Sequence, residues 1–230
     1  MSPVIQSAIQ HPWDLTPEEG YQLQAHMHDL VVSEDHLGAV HSIGGVDVGF
    51  EQGGQIARAA VVVVNFPQLR PIETSLVCLP TPYPYIPGLL SFREMPSILK
   101  ALEALVKLPD LLICDGHGLA HPRRFGIASH LGVYCDIPTI GVAKHPLTGG
   151  HRAVADLHGA YTSLTDKGEV IGVALRTCAG TKPVYVSVGH KISLASAIAF
   201  VLKCCPQYRI PEPIRFAHML ASKNRFFDRQ

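Results

Sequence analysis

The residue types best suited to chemistry lie in one stretch, Leu111–Gly132, LLICDGHGLAHPRRFGIASHLG. An apolar run, Leu111–Cys114, ends on Asp115, followed by Gly116 and Gly118. A short apolar run bounded by turn residues reads as a strand buried on both faces. A carboxylate at the carboxyl end of such a strand stands where open α/β sheets bind ligands. The two glycines let a backbone or a phosphate come close. His121, Arg123 and Arg124 add donors, and the small residues from Gly126 to Ser129 suit the start of a tightly packed helix. Together they are a set for binding a metal and a phosphate. A strand end, a turn and a solvated basic helix start is the plainer reading.

Other residues are candidates to join them. Asp47 sits inside the strand-like run Ile43–Phe50, and by alternation it points away from Val46 and Val48. A carboxylate in a central strand is costly unless it meets a cation or a donor; an edge-exposed or helix-capping acid is the alternative. Glu94 falls in or just before the first turn of a helix, where the macrodipole favours an acid in any case. His218 shares a helical face with Ile214, Ala217 and Ala221 and so points inward, as a satisfied core histidine or as a ligand. Pro80–Pro87, PTPYPYIP, holds four prolines in eight residues, which makes a stiff extended loop. Tyr85 is held within it, to be offered to a partner or packed on the core.

The elements that must position these groups read as follows. A capping box at Thr16–Glu19, with proline at the first helical position, opens an amphipathic helix from Pro17 to about Val32, with Leu23, Met27, Leu30 and Val31 on one face. Ile43–Phe50, Ile56–Phe66 and Ile72–Leu79 form an antiparallel meander across short turns. Ser91–Leu108 is helical, although Pro96 conflicts with a start at Ser91. The strand ending at Asp115, a helix over Gly126–Leu131 and the strand Thr139–Ala143, ending at Lys144, form a parallel crossover. Glu169–Thr177 and Pro183–Val188 read as a hairpin, and helices follow from Ser193 to Lys203 and from Pro213. With no repeat and no long linker, residues 1–230 read as a single domain, with an irregular arm over 1–15 and a frayed tail over 223–230.

Apolar content of 47% and charged content of 17% fit a globular chain. No apolar run approaches the roughly 20 residues that span a bilayer, so no membrane role is expected, and no signal peptide is apparent. Six irregularly spaced cysteines argue against a disulfide framework or a structural zinc, and fit a cytoplasmic setting. The formal charge is zero, but residues 182–230 carry eight lysines and arginines against two acids, a basic part suited to a polyanion or an ordinary mixed surface. No exposed apolar stripe demands a partner, so a monomer is expected.

The order of elements resembles the ribonuclease H-like fold, an α/β arrangement with a central mixed sheet (three antiparallel strands, then parallel strands) flanked by helices. In that fold the first and fourth strands lie side by side, which would bring Asp47 next to Asp115 and Glu94 over them. Carboxylates that converge repel one another and call for hard divalent cations. The motifs Pro84–Glu94, Asp115–Gly118, Ala120–His130 and Gly141–Lys144 closely resemble endonuclease V, from about Gly45 to Lys144, with a weaker continuation at Ser187–Leu194 and Pro211–Ala221. The resemblance implies a DNA repair endonuclease that recognises deoxyinosine, cuts the second phosphodiester bond 3′ to it and leaves 3′-hydroxyl and 5′-phosphate ends. It implies Mg²⁺, with Mn²⁺ able to substitute, held by Asp47, Glu94 and Asp115. Lys144 would lie near the scissile phosphate and His218 near the metal. Pro84, Tyr85, Ile86 and Pro87 would form a wedge that enters the helix as the damaged base leaves it, at a stacking cost of a few kcal/mol. Gly88, Leu90, Gly116 and Ile127 would line the base pocket, with His121, Arg123 and Arg124 beside the nucleic acid. Some relatives carry glutamine where this chain has His117. An endonuclease acting on inosine in RNA, and a non-catalytic binder of damaged nucleic acid, are the alternatives.

Overall fold

A computed structural model of the chain describes residue 9 and residues 11–222. The expected frayed tail over 223–230, and most of the arm before residue 11, lie outside the described residues. An eight-stranded mixed sheet runs through the described chain in the order β3-β2-β1-β4-β5-β8-β7-β6. Its strands are β1 (Ser42–Glu51), β2 (Ile56–Asn65), β3 (Pro71–Pro80), β4 (Leu111–Asp115), β5 (Thr139–Ala143), β6 (Tyr161–Asp166), β7 (Glu169–Leu175) and β8 (Val184–His190). The helices are α1 (Pro17–Met27), α2 (Leu90–Glu103), α3 (Ile127–Cys135), α4 (Leu194–Lys203) and α5 (Glu212–Ala221).

The expected meander is present: β1 pairs antiparallel with β2, and β2 with β3. In β2, Ala60, Val62 and Val64 feed one core while Ala59, Val61 and Val63 feed the other, as a pleated strand covered on both faces requires. α4 and α5 cover the first face through Ala197, Val201, Ile214 and Ala217. α2 and α3 cover the second through Ile98, Leu102, Ala128 and Leu131. β1 lies parallel to β4, and β4 parallel to β5. The sheet then continues antiparallel through β8, β7 and β6.

The alternation in β1 and β4 places the acids. Val46 and Cys114 are register partners and point to the α2–α3 face. Asp47 and Asp115 are the next residue on each strand, so both turn to the α5 face. That face of β1 is kept bare. A Cβ on Gly45 would stand 2.0 Å from the carbonyl carbon of Pro213, and one on Gly49 3.0 Å from the carbonyl oxygen of Ala221. Both contacts are with the backbone of α5, so the two glycines let that helix lie directly on the strand.

Several boundaries differ from the expectation. α1 has its capping box and its proline at the first position but ends at Met27, and a single 3₁₀ turn, His28–Leu30, takes the chain away with Leu30 exposed. α2 starts at Leu90 with no side-chain cap and continues through Pro96. Glu94 therefore sits in the second turn, buried, and is not a first-turn acid at a solvated helix start. Ser91, instead of capping, bonds to His130 Nδ1 at 3.0 Å. α3 runs on to Cys135, four residues beyond the expected end. β6 was not anticipated: in YTSLTD only Leu164 is buried, so this edge strand lacks the apolar alternation that marks its neighbours.

Replacing Gly45 with alanine is expected to lift α5 from β1. Overpacking of this kind costs about 1–3 kcal/mol, which thermal unfolding should register as a fall in Tm of about 2–10 °C for a chain of this length.

Candidate active site

Asp47 stands in the middle of β1 and Asp115 at the carboxyl end of the neighbouring parallel strand β4, and each has a basic partner of its own. His218, from α5, donates through Nδ1 to Asp47 Oδ2 at 2.7 Å. Lys144, one residue past β5, donates through Nζ to Asp115 Oδ2 at 2.5 Å. Ligating atoms of Asp47, Asp115 and His218 all lie within 4.8 Å of one another. The inward-facing core histidine considered from the sequence is not what the fold contains. The His218 side chain is 54% exposed and turned toward Asp47. Burial raises the pKa of Asp115, the Lys144 ammonium opposes the rise, and the charge of Asp47 adds to it.

Glu94 approaches from α2 on the opposite face and is not a member of that ligating group. Its carboxyl is raised well above the ordinary range, first by burial, then by the charges of Asp47 and Asp115, with Arg93 acting the other way. A third acid thus shares the field of the pair. Two carboxylate oxygens and an imidazole nitrogen at this spacing could hold a divalent metal ion.

A cavity of about 120 Å³ opens beside the acids, lined by Gln24, Tyr85, Pro87, Gly88, Leu90, Ser91, Gly116, His117, His121, Gly126, Ile127 and Leu147. It is well below the roughly 300 Å³ at which sites for drug-sized ligands begin, and its two glycine-containing walls suit a flat ring. Gly88, Leu90, Gly116 and Ile127, expected to meet there, all do. Tyr85 stands at the rim, 69% exposed. The loop that presents it is anchored from beneath. Tyr83 is buried and packs on Phe92 with ring centroids 5.8 Å apart. The Arg93 guanidinium donates to the carbonyls of Tyr83 and Gly54 and lies over the Phe50 ring. Pro84 and Ile86 line a separate cavity of about 450 Å³ behind the loop, with Trp13 and Phe92, away from the acids.

The arginines divide. Arg123 donates from its guanidinium to Gly88 O at 2.9 Å and to Gln24 Oε1 at 2.6 Å, and stacks over Tyr21. Arg124 is turned away and forms ion pairs with Asp166 at 2.9 Å and Glu169 at 2.6 Å, tying its loop to the β6–β7 hairpin. Its guanidinium is committed to acids more than forty residues away, which no local motif reveals. In the basic C-terminal part, Lys191 pairs with Asp136, Arg215 with Glu212, and Arg209 is held by the carbonyls of Lys182, Lys144 and Pro183. Sequence reasoning missed Gln24 and Arg93. Both are ordinary helix residues by pattern, and only their tertiary bonds set them apart.

Paired acids at the centre of a mixed sheet, a histidine closing the set and a slot for a flat ring define a nuclease on a ribonuclease H-like sheet. The Endonuclease V family model matches residues 25–219, beginning one residue after Gln24, and the chain belongs to the endonuclease V family. It is 55% identical over 213 residues to an endonuclease V of Trichormus variabilis, covering 92% of this chain and 96% of that one. The crystal structure of endonuclease V from Streptomyces avermitilis superposes with a TM-score of 0.88 at 40% identity, covering 94% of this chain and 95% of that one. The Ciona intestinalis endonuclease V gives a TM-score of 0.75 at 30% identity, covering 91% of this chain and 98% of that one. Its crystal holds a 23mer DNA containing an inosine followed by a ribo-adenosine. Among the described residues, no helix is long and apolar enough to cross a membrane.

Histidines fill the space behind the slot, and burial keeps them neutral. His121 is lowered to about 3, by burial and then by the charge of Arg123. His130 is lowered well below its usual value by burial and then by His11. A histidine held neutral in the fold takes a proton more readily once the chain unfolds. Its contribution is therefore complete above about pH 6.5 and drains away as the pH falls below that value. Urea unfolding between pH 6 and pH 5 should show stability falling toward the acid side. His121→Gln should make that slope shallower by about 1.4 kcal/mol per pH unit; an unchanged slope would mean that His121 is already charged in the fold.

Proposed function

We propose that this chain is a divalent-metal-dependent endonuclease that recognises deoxyinosine in DNA and hydrolyses the second phosphodiester bond 3′ to it, leaving 3′-hydroxyl and 5′-phosphate ends. One observation carries the reading: Asp47 and Asp115 stand side by side, within reach of His218, next to a slot sized for a single flat ring. The inosine-containing DNA bound by the Ciona relative supports the lesion. Tyr85 at the rim of the slot supports a wedge that takes the place of the extruded base.

Asp47 and Asp115, with His218 beside them, would hold Mg²⁺ between their carboxylates, and Mn²⁺ could substitute for it. When bound, such an ion supplies positive charge to the scissile phosphate and makes water a competent nucleophile near neutral pH. Glu94, whose raised proton affinity suits a group that takes a proton, and His218 are the two bases within this field. The Lys144 ammonium, now against Asp115, is placed to neutralise charge that grows on the phosphate oxygens. Gly88, Leu90, Gly116 and Ile127 read the edge of the base through their backbone. Six cysteines without a disulfide support a reducing, cytoplasmic setting. RNA is the second reading, because the DNA bound in the crystal of the Ciona relative carries a ribonucleotide directly after the inosine.

A labelled duplex with one inosine, incubated with Mg²⁺ with and without chelator, tests the proposal. The wild-type chain should cut only without chelator. Asp115→Ala should lower cleavage by at least about a thousandfold (roughly 4 kcal/mol of barrier) while still binding the duplex. Mg²⁺-dependent cutting by that variant at the wild-type rate would remove Asp115 from the chemistry. Matched inosine strands of DNA and RNA, cut side by side, decide between the two substrates.

A further inference from the structure

We propose that Gln24, on α1, is a positioning residue that fixes the width of the slot and thereby its discrimination between bases. The proposal rests on the reading of that slot as the base pocket. Gln24 is 1% exposed, and its carboxamide is fully used. Nε2 donates to Gly88 O at 2.9 Å and to Phe125 O at 3.2 Å, while Oε1 accepts from Arg123 Nε at 2.6 Å. Gly88 lines the slot. Phe125 directly precedes Gly126 and Ile127, which line it too but come from a segment nearly forty residues further along the chain. One amide nitrogen thus bridges the two segments, and its two hydrogens set their separation.

The Gly88 carbonyl is the fixed point of this arrangement. It accepts from Gln24, from His121 Nε2 at 3.0 Å and from Arg123 Nη2 at 2.9 Å. The same His121 ring accepts at Nδ1 from the Arg123 backbone N–H at 3.2 Å, which sets its tautomer with the proton on Nε2. Gly88 itself is held at φ +83°, and a Cβ there would stand 2.6 Å from an Arg123 guanidinium nitrogen. Three donors on one carbonyl are more than one peptide group needs for satisfaction. Their effect is geometric: they hold a left-handed glycine turn at one angle directly after the rigid loop that presents Tyr85. A slot whose walls read a base through backbone groups tolerates about 0.5 Å of slack before selectivity suffers. α1, remote from the acids in sequence and in chemistry, is thereby the part of the fold that supplies this tolerance.

The test compares binding of two duplexes that differ only in inosine or adenine at one position, read by fluorescence anisotropy with Ca²⁺ in place of Mg²⁺. Gln24→Glu keeps an acceptor for Arg123 and removes both donors; Gln24→Met keeps the volume and removes every bond. Both should lower the inosine-to-adenine affinity ratio by about tenfold, the scale of one lost hydrogen bond. The single-turnover cleavage rate at saturating enzyme should fall far less. Thr16→Ala is the control, because it breaks the capping box of the same helix without touching the slot. It should lower Tm and leave the ratio alone. If the wild-type chain prefers inosine and both Gln24 variants keep that preference, or if Thr16→Ala lowers it equally, the positioning role is overturned while the base pocket stands. If the wild-type chain shows no preference, the base pocket fails, and the role of Gln24 fails with it.

Discussion

Two carboxylates one register step beyond the last paired residues of neighbouring parallel strands form the constraint on which this structure turns. Side by side and mostly buried, they repel, and repulsion of this kind must be met by opposite charge or by protonation. The fold meets it by bringing two basic residues from distant segments. β5 delivers Lys144 because it lies parallel to β4 and ends at the same edge. α5 delivers His218 because Gly45 and Gly49 leave a bare track for it on either side of Asp47. The alternation of β1 therefore does two jobs at once. Its odd positions carry the acid and the room for the helix that answers it, while Val46 and Val48 pack the other face.

The slot beside the acids is built differently. Its walls are backbone at glycines, and side chains from α1, α2 and the loop after β4 hold them from behind. Buried polar groups are stable only when satisfied, and the bonds around His130 form an ordered chain. His11 gives its Nδ1 proton to the Pro12 carbonyl, so its Nε2 accepts from His130 at 2.8 Å, and His130 Nδ1 in turn accepts from Ser91 at 3.0 Å. Each member has one role open to it. Such a network favours a single arrangement of the loop and helix ends that meet at the slot.

The centre of the fold was legible because it obeys strong local rules. Period-two alternation placed Asp47, short turns gave the meander, and a buried run ending in an acid placed Asp115. Tyr85 was legible because prolines on both sides leave an aromatic ring little choice of path. What could not be read shares a different physics. β6 is a polar edge strand that owes its place to pairing with β7 and not to its own pattern. The start of α2 was legible to one residue despite Pro96, since nine buried residues of the helix outweigh one missing bond, but the helix ends at Glu103, five residues short of Leu108. Arg124 looked like a phosphate ligand beside Arg123, yet its partners are acids on a hairpin that the local sequence does not foretell. His218 was assigned inward from its helical face. Ile214, Ala217 and Ala221 on that face are buried, whereas His218 meets Asp47 there and stays half exposed.

The basic partners of the acid pair carry a consequence for the life of the protein. Because Lys144 and His218 already bond to Asp115 and Asp47 from within the chain, the acids at the sheet centre have partners before any ion arrives. Small zinc domains are the opposite case, since there the metal supplies the folding energy itself. Scarcity of the divalent ion proposed for this site would, on that reading, idle the chain without unfolding it. Folded copies would persist as a dormant stock that resupply awakens at once, with no new synthesis.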